Sequence, residues 1–281
     1  MTSEPSDNSN RLILYHDDCI DGFGAAWAAW TRLGDAAEYR PVTHGHPPPD
    51  VSGRDVTIVD FSYKRDVLLG MADAARSLEV VDHHKSARSD LAGLDFCIFD
   101  MGKSGAVLSW EHFNPDTPVP EILLYVQDKD LWTWKLPKAA EITAALRGYP
   151  FEFSRWAAWA DAWETARPAL ETEGDAIIRF QKQVVAGVIN GAEEITVGGY
   201  KVMAACTPIL QSEVAGQLAE GRPFGLAWFE ANGKRYYSLR SREGGIDVAD
   251  FAQRFGGGGH ARAAGFAVDA AGYPGVVDTP D

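Results

Sequence analysis

Asp82-His83-His84 stands at the end of a short apolar run, Leu78-Glu79-Val80-Val81. Two further runs end the same way: Val56-Thr57-Ile58-Val59 delivers Asp60, and Leu12-Ile13-Leu14-Tyr15 delivers His16, with Asp18 and Asp21 just behind it. Carboxylates and imidazoles are the ligand set for hard or borderline divalent cations. Carboxylates converging without a cation repel one another and lose hydration. A single Asp at a strand end is more often a cap or turn residue, so the weight lies in the recurrence at three strand ends. Cys19 lies inside the first segment; flanked by aspartates, its thiolate is disfavoured unless a cation is present, and it reads as a filler.

The elements that must position these groups follow from pattern. Residues 12–15, 56–59, 78–81 and 96–99 read as buried strands, and Glu38 to Val42 as another. The stretch 64–76 between two of them reads as a helix, which makes a βαβ unit and hence a parallel sheet. In such sheets ligands collect at the carboxyl ends of the strands. Gly22 to Trp30 reads as a tightly packed helix stopped by Gly34. The loop His44-Gly45-His46-Pro47-Pro48-Pro49 is read as lying over the cleft. Ser104 is placed as the N-cap of a helix through about His112, and Pro120 opens a helix running into Gln127-Asp128-Lys129-Asp130-Leu131-Trp132. Acidic residues at a helix carboxyl end oppose its dipole, which marks Asp128 or Asp130 as a further ligand.

Residues 151–190 are helical in pattern. Trp156, Trp159 and Trp163 fall at helical spacing and read as a core-facing stripe. From Glu194 the texture changes to short strands at 195–197, 200–205, 225–229 and 236–240, with one helix at 213–220. The reading is therefore α/β: an N-terminal parallel-sheet domain over 11–150, a helical linker over 151–193, a smaller α/β domain over 194–270, and a disordered tail over 271–281.

The smaller domain contains a second chemical feature, Phe255-Gly256-Gly257-Gly258-Gly259-His260-Ala261-Arg262-Ala263-Ala264-Gly265. Consecutive glycines are entropically costly in a folded loop. They make sense where backbone N–H groups approach an anion, here with a helix expected to begin immediately after them. Gly257, Gly258, Gly259 and His260, with Arg240 and Ser241 on the preceding strand, are the expected phosphate contacts.

Composition narrows the partners. The 281 residues are 46% hydrophobic, and the formal net charge is −14. Long nucleic acid is held mainly through phosphate contacts by basic stripes, so long duplex is not an expected partner, whereas a small phosphorylated molecule in a local cationic pocket is. The first ten residues are polar and carry no apolar signal segment, and no stretch reaches transmembrane length. Three widely spaced cysteines, an odd number, fit a reducing, cytoplasmic setting better than a disulfide framework. Nothing in the sequence fixes the oligomeric state, and a homodimer is left open.

Taken together, His16 to Asp21-Gly22, Asp60-Phe61-Ser62, Asp82-His83-His84, Asp128 or Asp130, and Gly257 to Gly265 resemble the DHH phosphoesterase superfamily with its C-terminal DHH-associated domain. That superfamily includes RecJ-type exonucleases, nanoRNases that also dephosphorylate 3′-phosphoadenosine 5′-phosphate, cyclic-dinucleotide phosphodiesterases and family II pyrophosphatases. The resemblance runs from about residue 11 to 268. The family's first motif is a histidine followed by two aspartates separated by one residue; here the spacing is His16, Asp18, Asp21, of which His16 and Asp21 carry over.

The resemblance implies two divalent cations, expected to be manganese. Their ligands would be His16, Asp18, Asp21, Asp60, His83 and Asp128, with Asp130 as the alternative, and Asp60 would bridge the pair. Asp82, His83 and His84 form the catalytic triplet, His84 also meeting phosphate and Asp82 fixing the histidine tautomers from behind. The implied activity is hydrolysis of phosphodiester bonds in short oligonucleotides or dinucleotides by a water that the two metals activate. The smaller domain would then close over the far end of the substrate. The alternatives are a phosphomonoesterase acting on a small nucleotide such as 3′-phosphoadenosine 5′-phosphate, and a non-catalytic nucleotide or metal sensor on the same fold.

Overall fold

The apolar runs ending in His16, Asp60 and Asp82 are strands of one parallel sheet. The computed structural model describes residues 10–270, and the chain divides into two units, Met1–Gly174 and Asp175–Asp281. The expectations that no signal segment opens the chain and that its tail is disordered fall on residues 1–9 and 271–281, outside the described residues. Among the described residues no helix is long and apolar enough to cross a membrane.

The first unit begins β1 (Arg11–His16), α1 (Ile20–Leu33), β2 (Glu38–Val42), β3 (Asp55–Val59), α2 (Arg65–Ala74), β4 (Ser77–Asp82), α3 (Lys85–Asp90) and β5 (Cys97–Phe99). It continues α4 (Gly105–Phe113), α5 (Glu121–Asp130), α6 (Ala139–Arg147) and α7 (Phe153–Asp161), and α8 (Trp163–Ile189) leads out of it. The sheet order is β2-β1-β3-β4-β5, with every pairing parallel.

Side chains alternate between the two faces of this sheet, as the pleat requires. Leu12, Leu14, Val56, Ile58 and Val80 pack with Leu68 and Met71 of α2, while Ile13, Val59 and Val81 pack with Ala25 and Ala29 of α1 and Leu108 of α4. Burial on both faces explains why the strands read as continuous apolar runs. The tryptophan stripe is core: Trp156 is 1% exposed and Trp163 is buried in the same cluster as Phe23, Trp27 and Trp110. Each fully buried large apolar side chain contributes roughly 1.5–3 kcal/mol, and this cluster fastens α7 onto α1.

Register then sets the site. Tyr15 pairs with Val59 and Val59 with Val81, so His16, Asp60 and Asp82 each stand one residue beyond the same row. Because β1 has β2 on one side and β3 on the other, the chain reverses direction across the sheet here. The crevice at such a reversal is where open parallel sheets bind ligands.

The second unit contains β6 (Glu193–Val197), β7 (Tyr200–Cys206), α9 (Gln211–Leu218), β8 (Gly225–Ala231), β9 (Lys234–Arg240), α10 (Val248–Gln253), β10 (Gly258–His260) and β11 (Ala263–Asp269). Its sheet order is β10-β11-β9-β8-β7-β6, antiparallel except for the parallel β7–β8 pair. One face is covered by α10 through Val248, Phe251 and Ala252, the other by α9 through Val214 and Leu218.

The glycine run corrects one expectation. No helix follows it: Ala263–Asp269 is strand β11, and the helix, α10, precedes it with Asp247 as its N-cap, accepting from the amides of Ala249 and Asp250. Gly259 has φ +137, and a Cβ there would lie 2.7 Å from Ala264 Cα. The run therefore lets β10 approach β11 closely. The helical propensity of His-Ala-Arg-Ala-Ala is overridden by pairing of β11 with β9 along its whole length.

Candidate metal centre

Asp60 leaves β3 with φ +52, a conformation sparsely populated outside glycine, asparagine and aspartate and concentrated at functional sites. Its amide donates to Val81 O at 3.0 Å, and the side chain is 1% exposed. The two carboxylate oxygens face different neighbours. Oδ1 is 3.0 Å from His83 Nε2, and Oδ2 is 3.8 Å from His16 Nδ1. Space for this carboxylate exists because residue 105 is glycine: a Cβ there would run into Asp60.

On the His83 side, Asp21 Oδ2 lies 3.4 Å and Asp130 Oδ2 3.7 Å from Nε2, so one imidazole faces three carboxylates. Asp21 also accepts from the amides of Gly105 at 2.7 Å and Ala106 at 3.0 Å. It thus takes the free N–H groups at the start of α4 alongside Ser104, the N-cap, whose hydroxyl accepts from Val107 N. A helix N-terminus favours a nearby anion, which helps a carboxylate stay in a buried position.

Behind this layer Asp82 works as a hub. Its Oδ1 accepts from the His83 amide at 2.7 Å and the His84 amide at 3.3 Å and meets His84 Nδ1 at 2.7 Å. Its Oδ2 accepts from Ser62 Oγ at 2.6 Å.

Burial and mutual repulsion shape the protonation of the cluster. Burial, then the charge of Asp21, raises Asp60 well above the usual carboxylate range. Burial, then Asp130, raises Asp21. Burial would raise Asp82 as well, but His84 beside it holds its carboxyl far below the ordinary value. His83 and His84 are raised by their carboxylate neighbours, Asp130 and Asp82 respectively, against the opposing effect of burial. Burial, then His84, lowers His16, which keeps it neutral and ready to ligate. Buried acidic groups raised by one another, beside a neutral imidazole, are the donor set a divalent cation would neutralise, so the residues present fit one.

Within the first unit the structure therefore brings together His16, Asp21, Asp60, His83 and Asp130, with Asp82 and His84 adjoining. Asp18 points away: its side chain is 85% exposed and pairs with Arg147 at 3.0 Å. Between the two acidic candidates on α5, Asp130 faces the cluster. Asp128 is buried and occupied locally, accepting from Thr133 Oγ1 and from the amides of Lys135 at 2.8 Å and Leu136 at 2.9 Å. Replacing Asp128 with Asn is expected to cost about 1–3 kcal/mol of stability, whereas Asp130→Asn should destabilise the metal-free protein less than that and weaken cation binding instead. Denaturant melts and equilibrium dialysis of both variants check this, and the opposite pattern would restore Asp128 to the centre.

Two residues beside these carried little signal in sequence. Cys19 offers its sulfur within 4.8 Å of ligand atoms of His16 and Asp60. With Asp21 as the second aspartate of a pair separated by one residue, the first position falls on Cys19 rather than on Asp18. Burial, then Asp60, pushes its thiol strongly upward. His44 lies on the loop, with its ring stacked on Phe61 at 4.3 Å between centroids and 5.2 Å from that of His16. His46, on the same loop, is exposed.

In the second unit Arg240 pairs with Ala263 and Ala263 with His260. Directly opposed residues of antiparallel strands share a face, so Arg240 and His260 flank a small residue in one row. Arg240 donates to Leu239 O at 2.8 Å and to Ser212 Oγ. Ser241 is fully buried, its amide donating to Arg262 O and its hydroxyl to Ala261 O, so it fastens the turn before β11.

No family model matches the chain. It is 31% identical to an uncharacterized protein of Acanthamoeba polyphaga mimivirus, over 94% of this chain and 70% of the viral one. Its fold is similar to a DHH domain from a member of the s1p family of ribosomal proteins, with a TM-score of 0.57 and 14% identity over 91% of this chain and 82% of that one. It is also similar to RecJ of Thermus thermophilus, solved in complex with Mn2+, with a TM-score of 0.52 and 19% identity over 94% of this chain and 50% of RecJ. The strand-end motifs, the parallel sheet that aligns them and these likenesses agree on the architecture: the chain has the fold of DHH-domain proteins.

Proposed function

We propose that the chain is a metal-dependent phosphoesterase that hydrolyses phosphodiester bonds of short oligonucleotides or dinucleotides. The observation that carries this reading is the buried Asp60 carboxylate, whose oxygens face His16 on one side and His83 on the other. His16 and Asp60 would hold one cation, and Asp21, Asp60, His83 and Asp130 the other. Such a pair supplies Lewis acidity and a nucleophile ionised at neutral pH. Manganese suits mixed Asp/His ligation, and the RecJ structure with a similar fold contains it.

The chain's own groups do the rest. Asp82 fixes the orientation of His84 through Nδ1, which makes Nε2 the atom through which His84 would meet a phosphoryl oxygen. Asp82 raises the pKa of His84 against the opposing effect of burial, which favours the protonated ring, the form suited to an anionic phosphate. In the second unit, Arg240, His260 and the Gly258–Gly259 segment are the proposed contacts to a substrate phosphate, with Ser241 holding the turn that presents them; the Gly257 amide, expected to join them, already donates to Ala252 O at 3.0 Å. The net charge of −14 disfavours long polyanions and restricts the substrate to something a local pocket can hold.

The test is turnover, with manganese, of a panel of di- to pentanucleotides, linear and cyclic dinucleotides, 3′-phosphoadenosine 5′-phosphate and polyphosphate. Preferred release of mononucleotides from the shortest substrates supports the reading. Exclusive turnover of 3′-phosphoadenosine 5′-phosphate would replace it with a phosphomonoesterase, and cation binding without any turnover would replace it with a sensor.

A further inference from the structure

Cys19 occupies the N-cap position of α1, with extended backbone angles and no side-chain capping bond. Ser, Thr, Asp or Asn are the stronger caps there, and the thiol meets the Gly22 amide in their place. It also has company. One ligand atom each from His16, Cys19 and Asp60 lies within 4.8 Å of the other two. Donors around one first-row cation, at bond lengths of about 2.0–2.3 Å, are separated by no more than roughly 4.5 Å, so small side-chain adjustments bring all three onto a single ion. The placement is enforced locally, because a side chain on Gly22 would strike the His16 backbone and the 16–22 turn must close tightly.

Another grouping on the far side of Asp60, Asp21 with His83 and Asp130, contains only oxygen and nitrogen donors. The two halves of the cluster, joined by Asp60, therefore differ in softness. Thiolate selects borderline and soft cations, whereas carboxylate suits hard ones.

We propose that Cys19 is a sulfur ligand, and that the His16–Cys19–Asp60 pocket selects a borderline cation such as zinc, cobalt or ferrous iron over manganese, leaving the Asp21–His83–Asp130 pocket to a hard cation. The inference rests on the metal-centre reading above and adds an identity for each half. It makes the pair unlike, with Cys19 as the residue that decides the difference.

The experiment uses the 281-residue chain carrying Cys97→Ser and Cys206→Ser, which leaves Cys19 as its one thiol. Chelator-stripped protein is titrated anaerobically with cobalt(II) and followed by absorption. The expected result is an intense near-ultraviolet sulfur-to-cobalt band growing with the weaker visible cobalt bands. Adding Cys19→Ser should remove the first and keep the second. Zinc should displace the bound cobalt at least about tenfold more effectively than manganese, and in Cys19→Asp that margin should narrow, because an oxygen donor keeps the general order of affinities but loses the extra preference of sulfur. Visible cobalt bands with no sulfur band in the Cys19-containing protein would overturn the proposal while leaving the metal centre standing. Failure to bind cobalt at all would overturn both.

Discussion

Asp60→Asn is expected to lower cation-dependent hydrolysis by on the order of a thousandfold, about 4 kcal/mol of transition-state stabilisation, and at the same time to make the metal-free protein harder to melt at neutral pH. Both effects come from one carboxylate. It is buried, it lies between His16 and His83, and its charge is disfavoured by burial and by Asp21. The amide keeps the shape, tolerates the φ of +52 as asparagine commonly does, and can still meet His83 Nε2. It cannot provide two anionic oxygens to two cations. Thermal melts with chelator and with manganese, alongside steady-state turnover, separate the contributions. Wild-type turnover, or a wild-type rise in melting temperature on adding manganese, would show that Asp60 does not join the pair.

The strand ends were legible in sequence because a short apolar run stopped by a polar residue leaves few options, and parallel pairing then aligns His16, Asp60 and Asp82 in one row. The choice between Asp128 and Asp130 was not legible. Residues two apart on a helix point roughly 200° away from each other, so one of them must face elsewhere, and which one depends on how α5 is rotated by Ile122, Leu123 and Val126 in the core. The position of Cys19 was not legible either: a thiol among aspartates is unfavourable when weighed alone, and its convergence with His16 and Asp60 is visible only in the fold. The strand after the glycine run was hidden by strong local helix propensity. In contrast, the brief helices α3 and α10 lacked enough periodic residues to stand out, although Asp247 before Val248 is a cap of the expected type.

The same electrostatics give the metal-free protein a distinctive dependence on pH. Asp60 and Asp21 are raised above the carboxylate range of about 4, so the folded state holds protons there that the unfolded chain has released, and stability falls as pH rises through the folded values. His83 and His84 are also raised; their contribution is complete below about 6.5 and is lost as pH climbs past their folded values. Asp82 is depressed and acts at the other end, its contribution present above about 4 and lost in acid. Metal-free stability should therefore peak at mildly acidic pH and decline through neutrality. Cations compete with the protons on these ligands, so the stabilisation they confer grows with pH. At a concentration a hundredfold above the dissociation constant it amounts to about 2.7 kcal/mol, or roughly 5–10 °C in melting temperature for a chain of this size. Scanning fluorimetry at pH 5.5, 7.0 and about 8.5, with chelator and with manganese, should show the two curves diverging as pH rises, and in Asp60→Asn the divergence should largely disappear. A manganese effect that is flat with pH would mean that the cation binds away from the buried carboxylates, and Asp60, Asp21 and His83 would then need another reason to share one crevice.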